Sequence, residues 1–172
     1  MRHVNKIQLQ NLFIIPIMAL FLALQVSTVV AGDYDNALKD VKGVKVLFNV
    51  SLGNPVFSNV VFWAVRDVYQ NEAVKTLPEK PKVAVVFHGP AVKLLSSDLS
   101  GFDKKDYGEI EKFQNTLRQM KKDGVILEVC MYAAKVMGVD PATIMPEIDQ
   151  VGNGFVSVAG YQAQGFSVVT IP

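Results

Sequence analysis

Apolar positions follow two alternating rhythms along the chain. Runs of strand length, dense in β-branched residues, recur at Val44–Val50, Val83–Phe87, Val125–Val129, Phe155–Ala159 and Phe166–Ile171. The second run has no polar position, as expected of a strand covered on both faces of a parallel sheet. Between the runs the period lengthens to that of a helix. Ile110, Phe113, Leu117 and Met120 mark one stripe of a helix over about 107–122, and Gly124 supplies its stop. Asn54-Pro55 predicts an earlier helix start, a capping side chain followed by proline in the first turn. Its apolar face is expected to hold Phe57, Val60, Val61, Ala64, Val65 and Val68. Phe62 and Trp63 flank that face as core or subunit contacts.

Shorter helices are predicted from Met131 to Met137, from Asp140-Pro141 onward, and from Tyr161 to Gln164 ahead of Gly165. Gly152-Asn-Gly154 reads as a turn before the fourth strand. Strands alternating with helices argue for an α/β fold with a parallel sheet and helices on both faces. Residues 89–108 form the longest irregular stretch. Its Leu94, Leu95, Leu99 and Phe102 are too apolar for a solvated connection, so they are expected to pack on the domain or on a neighbouring subunit.

The first residues break this pattern. Arg2, His3 and Lys6 precede an apolar run of 13 residues, Leu12–Leu24, and then a small-residue stretch ending at Ala31. That order is a secretory signal peptide, with Val29 and Ala31 at the recognition positions. A bilayer core needs about 20 apolar residues in helical form. Cleavage after Ala31 is therefore expected, an uncleaved signal anchor being the alternative. The domain division is then 1–31 as signal and 32–172 as one α/β domain, periplasmic or secreted, with no membrane attachment after cleavage.

Charge narrows the range of partners. Without residues 1–31 the chain carries one more acid than base, and its charges are interleaved, as in Asp103-Lys-Lys-Asp106. Such runs are solvated surface. Nucleic acid is not an expected partner, since its binders show a basic face or stripe. Cys130 is the only cysteine, so no internal disulfide can form. His88 is the only histidine beyond residue 31, and no Cys/His cluster has zinc-site spacing. No metal or cofactor is implied, and Asn49-Val-Ser-Leu-Gly53 lacks a dinucleotide fingerprint.

The candidate chemistry is a thiol and an imidazole. In open parallel sheets functional groups gather at the carboxyl ends of the strands. His88-Gly89-Pro90 follows the second strand, and Cys130 follows the third and opens a helix. If those strands are neighbours, both side chains share one edge. A helix N-terminus favours thiolate over thiol, and a nearby histidine can move its proton. A lone cysteine ending an apolar strand is as readily a small buried hydrophobe.

Lys82–Pro172 resembles the DsrE/DsrF-like family of sulfur-relay and sulfur-oxidation proteins. The matching pieces are Val85-Val-Phe-His-Gly-Pro-Ala91, the helix, lysine-rich turn, strand and cysteine from Phe113 to Cys130, and Gly160-Tyr-Gln-Ala-Gln-Gly-Phe before the last strand. The first half, from about Val44, fits the layout with weaker motifs. The resemblance implies a three-layer α/β/α domain with a five-stranded parallel sheet, assembled as a trimer or hexamer. It also implies that Cys130 carries sulfur as a persulfide between a donor and an acceptor protein, with His88 matching the pattern beside it. Met131 and Tyr132 depart from the small or polar residues of many relatives. The other reading is a non-catalytic oligomeric module that binds a small ligand or protein, with Cys130 in the core.

Overall fold

The computed structural model describes residues 34–172, and its five strands form one sheet. They are β1 (Lys45–Val50), β2 (Lys82–Phe87), β3 (Ile126–Cys130), β4 (Asp149–Val151) and β5 (Ser167–Ile171). Their order is β4-β3-β2-β1-β5, and every pairing is parallel. Helices α1 (Pro55–Gln70), α2 (Glu72–Lys75), α3 (Tyr107–Lys122), α4 (Met131–Val136) and α5 (Gly154–Ala163) lie between the strands in sequence. The fold is the three-layer α/β/α arrangement with a five-stranded parallel sheet, and Leu38–Pro172 is one compact unit. The expected signal segment, residues 1–31, lies outside the described residues.

The two faces of the sheet are covered unequally. Side chains alternate between faces along each strand. Phe48, Val50, Val85, Phe87, Leu127 and Val129 face the larger core, which α1 and α3 close with Phe62, Val65, Ile110, Phe113, Leu117 and Met120. At its centre Phe62 stacks on Phe87 at 5.8 Å and meets Phe113 edge-on at 4.8 Å. Leu47, Ala84 and Val86 face the other way, under Val158 and Tyr161 of α5 with Phe166 and Val168 beside them. That second layer is one helix thick.

Four sequence expectations need correction. Phe155–Ala159 is not the fourth strand but part of α5, and Tyr161–Ala163 ends that same helix. Gly152-Asn-Gly154 accordingly leads into a helix, with Asn153 as its cap: the Asn153 side chain accepts from the Phe155 N–H at 3.0 Å. The true β4 is three residues long and polar at two of them, so no apolar run announces it. Asp140-Pro141 starts only a 3₁₀ turn, Pro141–Thr143.

The fourth correction concerns α1. Its start is as expected, with Asn54 Oδ1 accepting from the Phe57 N–H at 3.0 Å and Pro55 in the first turn. Its buried side, however, carries Pro55, Ser58, Phe62 and Val65, while Phe57, Val60 and Ala64 point outward. A helix apolar nearly all round offers two possible faces. The aromatic cluster selects the one containing Phe62.

The stretch 89–108 packs on its own domain. Gly89–Leu95 is a 3₁₀ helix that buries Leu94 and Leu95, and Leu99 and Phe102 lean on the same core. Gln114 Nε2 donates to the carbonyls of Leu94 and Ser96, both at 3.0 Å, tying the segment to α3.

Candidate functional site

β2 and β3 are neighbours, with Phe87 opposite Val129. His88 and Cys130 therefore leave the sheet at the same level from adjacent strands. Both follow the alternation to the α5 side, since Val86 and Glu128, two residues earlier, face that way. The His88 N–H donates to the Val50 carbonyl at 2.9 Å, which extends the β1–β2 ladder by one step. Gly89 then turns the chain with φ of 52°, a left-handed conformation that glycine adopts without strain.

Cys130 ends β3 and caps α4. Its Sγ accepts from the Ala133 N–H at 3.4 Å. The side chain is only 5% exposed. What covers it is the start of α5. A Cβ on Gly154 would stand 2.9 Å from Cys130 Cβ, 3.1 Å from Val86 Cγ1 and 3.6 Å from Cys130 Sγ. Glycine at this position lets the helix approach the thiol; any larger residue would hold it off. One residue on, the exposed Phe155 ring lies 5.8 Å from the His88 ring. The turn Asn153–Phe155 thus roofs the thiol and flanks the imidazole together.

His88 Nε2 is buried without a hydrogen-bond partner among the described residues. Burial disfavours its imidazolium and holds its pKa below the usual histidine range, so the ring is neutral at neutral pH. No hydrogen bond joins it to Cys130 among the described residues.

This shift has a direction in stability. The unfolded histidine titrates near 6.5 and the folded one lower, so the unfolded chain binds the proton more readily. His88 therefore adds stability above about pH 6.5 that is lost as pH falls through the folded value. Thermal midpoints of the wild type are expected to fall more steeply from pH 7 to pH 5 than those of His88→Asn. Parallel slopes would contradict the assignment.

Three polar residues near this edge, Asn49, Glu128 and Tyr161, carry weaker sequence signals and were not singled out from the sequence. Asn49 and Glu128 flank Val86 in register across β1, β2 and β3. Glu128 Oε1 accepts from the Tyr161 hydroxyl at 2.7 Å. Burial, and then the adjacent carboxylate, push that hydroxyl above the usual tyrosine range. Glu128 Oε2 and Asn49 Oδ1 are buried without partners among the described residues. A lone acid inside the run Val125-Ile-Leu-Glu-Val129 was the available signal for Glu128. Among the described residues no three His, Cys, Asp or Glu side chains cluster as a metal site needs. The arrangement places a thiol and a neutral imidazole at one strand edge, with the turn Asn153–Phe155 over the thiol.

The sequence signature of the DsrE/DsrF-like family matches residues 64–171. Among solved structures, a protein of unknown function from Methanobacterium thermoautotrophicum, MTH1491, aligns with a TM-score of 0.55 and 16% identity. The match covers 74% of this chain and 98% of that one. The conserved protein of unknown function BT1422 from Bacteroides thetaiotaomicron aligns with a TM-score of 0.50 and 18% identity, over 74% and 95% of the two chains. At these identities the likeness is one of fold. No curated protein matches the chain.

Proposed function

The chain belongs to the DsrE/DsrF-like family, and from that premise we propose that Cys130 carries sulfane sulfur as a persulfide. The observation that carries the reading is the lone thiol at the end of β3, level with the neutral imidazole of His88 on β2. The Cys130 thiolate attacks the outer sulfur of a polysulfide or of thiosulfate. A new bond forms from Sγ to that sulfur, the donor's S–S bond breaks, and the shortened polysulfide or sulfite leaves with the bonding pair. An acceptor thiolate then attacks the outer sulfur, and Sγ leaves as thiolate. No external oxidant or reductant is consumed. His88 takes the thiol proton in the loading step and returns it after transfer. The donor and acceptor are a small sulfur species or a partner protein. The order of basic, apolar and small residues in 1–31 supports an exported setting for this exchange.

A second reading is favoured by one observation: Cys130 is only 5% exposed and its sulfur already caps α4. On that reading the chain is a non-catalytic binding module and the cysteine is packing. Intact mass after polysulfide treatment separates the two. Sulfur transfer predicts native protein heavier by one sulfur atom and no gain on Cys130→Ser. Wild type that stays unmodified, or a gain shared by Cys130→Ser, would remove the sulfur reading.

A further inference from the structure

We infer that, given the sulfur chemistry proposed for Cys130, on which this rests, Glu128 selects a sulfur acceptor that carries an ammonium group beside its thiol: an aminothiol. Asn49, Glu128 and His88 all face the α5 side of the sheet. Asn49 and Glu128 flank Val86 in register, and His88 lies two residues beyond Val86 on the same strand edge. Each presents a buried side-chain atom with no hydrogen-bond partner among the described residues: Asn49 Oδ1, Glu128 Oε2 and His88 Nε2. Buried polar atoms are nearly always satisfied, so three of them around one spot mark a place that something else fills. The start of α5 closes that spot, since a Cβ on Gly154 would meet both Val86 Cγ1 and Cys130 Cβ. Displacing this one turn uncovers the sulfur and these atoms together.

The chemistry of these atoms selects the occupant. An amide oxygen and a carboxylate oxygen can only accept, so the occupant must donate. The Tyr161 hydroxyl already donates to Glu128 Oε1 at 2.7 Å, which orients the carboxylate and leaves Oε2 as its free oxygen. No Lys or Arg side chain pairs with Glu128 among the described residues. Beside it in register stands a second acid, Asp149, whose charge Lys121 meets at 3.0 Å. A partly buried carboxylate left in this way attracts a cation and repels a dianion such as thiosulfate. A metal ion does not fit the donor set, because among the described residues no three His, Cys, Asp or Glu side chains come together. An ammonium needs only the carboxylate and a neutral acceptor. Glu128 and Cys130 are two residues apart on one strand face, about 6–7 Å along the strand. Two carbons between nitrogen and sulfur, with the transferred sulfur added, span that step. In transfer the acceptor thiolate attacks the outer sulfur of the Cys130 persulfide. The new S–S bond forms as the Sγ–S bond breaks, Sγ leaves as thiolate, and the aminothiol departs as a persulfide.

The experiment loads purified protein with polysulfide and unloads it with three thiols that share a two-carbon bridge and differ in charge: cysteamine, mercaptoethanol and mercaptopropionate. Unloading is read as the rate at which one sulfur atom is lost by intact mass. Ratios of rates, compared between Glu128→Gln and wild type, cancel the thiols' own reactivity. Glutamine keeps an acceptor for Tyr161 and removes the charge. The cysteamine-to-mercaptoethanol ratio should fall about fivefold or more in the variant, the scale of a well-placed ion pair that water partly screens, and the mercaptopropionate-to-mercaptoethanol ratio should rise. If Glu128→Gln disturbs folding, wild type alone decides. Methylthioethylamine, which cannot take sulfur, should slow unloading by cysteamine several-fold, and its uncharged analogue methylthioethanol should not. Equal ratios in variant and wild type overturn the aminothiol assignment and leave Cys130 a sulfur carrier, with water filling the orphaned positions. Equal effects of the two methylthio compounds overturn it in the same way. Protein that takes up no sulfur from polysulfide removes the sulfur reading itself, and the aminothiol with it.

Discussion

Phe62→Ala is expected to lower the stability of the folded chain by about 3–5 kcal/mol. Phe62 is fully buried and joins three layers of contact: its own helix α1, Phe87 from β2 and Phe113 from α3. Truncation loses the transfer free energy of the ring, leaves a cavity between two rigid aromatic neighbours, and removes both ring–ring contacts. Against a typical total of about 5–15 kcal/mol, the variant is left marginal. Urea unfolding measures the effect as a lower midpoint with an unchanged slope. Phe57→Ala removes the same ring from the outside of the same helix, and it should cost no more than about 0.5–1 kcal/mol. Equal losses for the two variants would mean that α1 is rotated from the position described here.

Gly154→Ala is the second large effect, and its sign is the informative part. Alanine in the middle of a helix stabilises by about 0.5–1 kcal/mol relative to glycine, an upper bound for Gly154 at the first position of α5. Here the new methyl would meet the Cβ of Cys130 at 2.9 Å and a methyl of Val86 at 3.1 Å, atoms held by the sheet. Neither is the far end of a flexible side chain. The start of α5 has to retreat, and overpacking of this kind costs about 1–3 kcal/mol. The same retreat uncovers the sulfur, so a bulky thiol reagent should label Gly154→Ala faster than wild type. Stabilisation by the substitution, with unchanged labelling, would mean that α5 does not rest on Cys130.

Much of this architecture was legible because its signals are local. The unbroken apolar run of β2, the stripe Ile110-Phe113-Leu117-Met120 on α3 and the Asn54-Pro55 start of α1 each need only neighbours in sequence to be read. The misread elements depend on tertiary context. Phe155-Val-Ser-Val-Ala159 is a short apolar run of strand length, yet Asn153 caps it into a helix and Gly154 lets that helix settle on β3. β4 is an edge strand whose Asp149 and Gln150 are exposed, so no hydrophobic pattern is required of it. The buried side of α1 was ambiguous because Val60 and Phe62 are equally apolar, and only the rings of Phe87 and Phe113 decide between them.

The site divides in the same way. That His88 and Cys130 each end a strand could be read from the chain, but their sharing one level depended on β2 lying beside β3. The cover over the sulfur could not be read at all, since it comes from a residue twenty-four positions later whose relevant property is having no side chain. The lone acid in β3 was visible as an oddity, while its partner Tyr161 lies on a different element.

The central claim is that the sulfur of Cys130 reacts from the folded protein despite its cover. The most direct measurement is the rate at which native protein in polysulfide gains one sulfur atom by intact mass, set beside its rate of global unfolding under the same conditions. Local opening of Asn153–Phe155 predicts a gain much faster than unfolding and insensitive to low urea. A gain that only keeps pace with unfolding, or none at all, would contradict the account and leave Cys130 as packing.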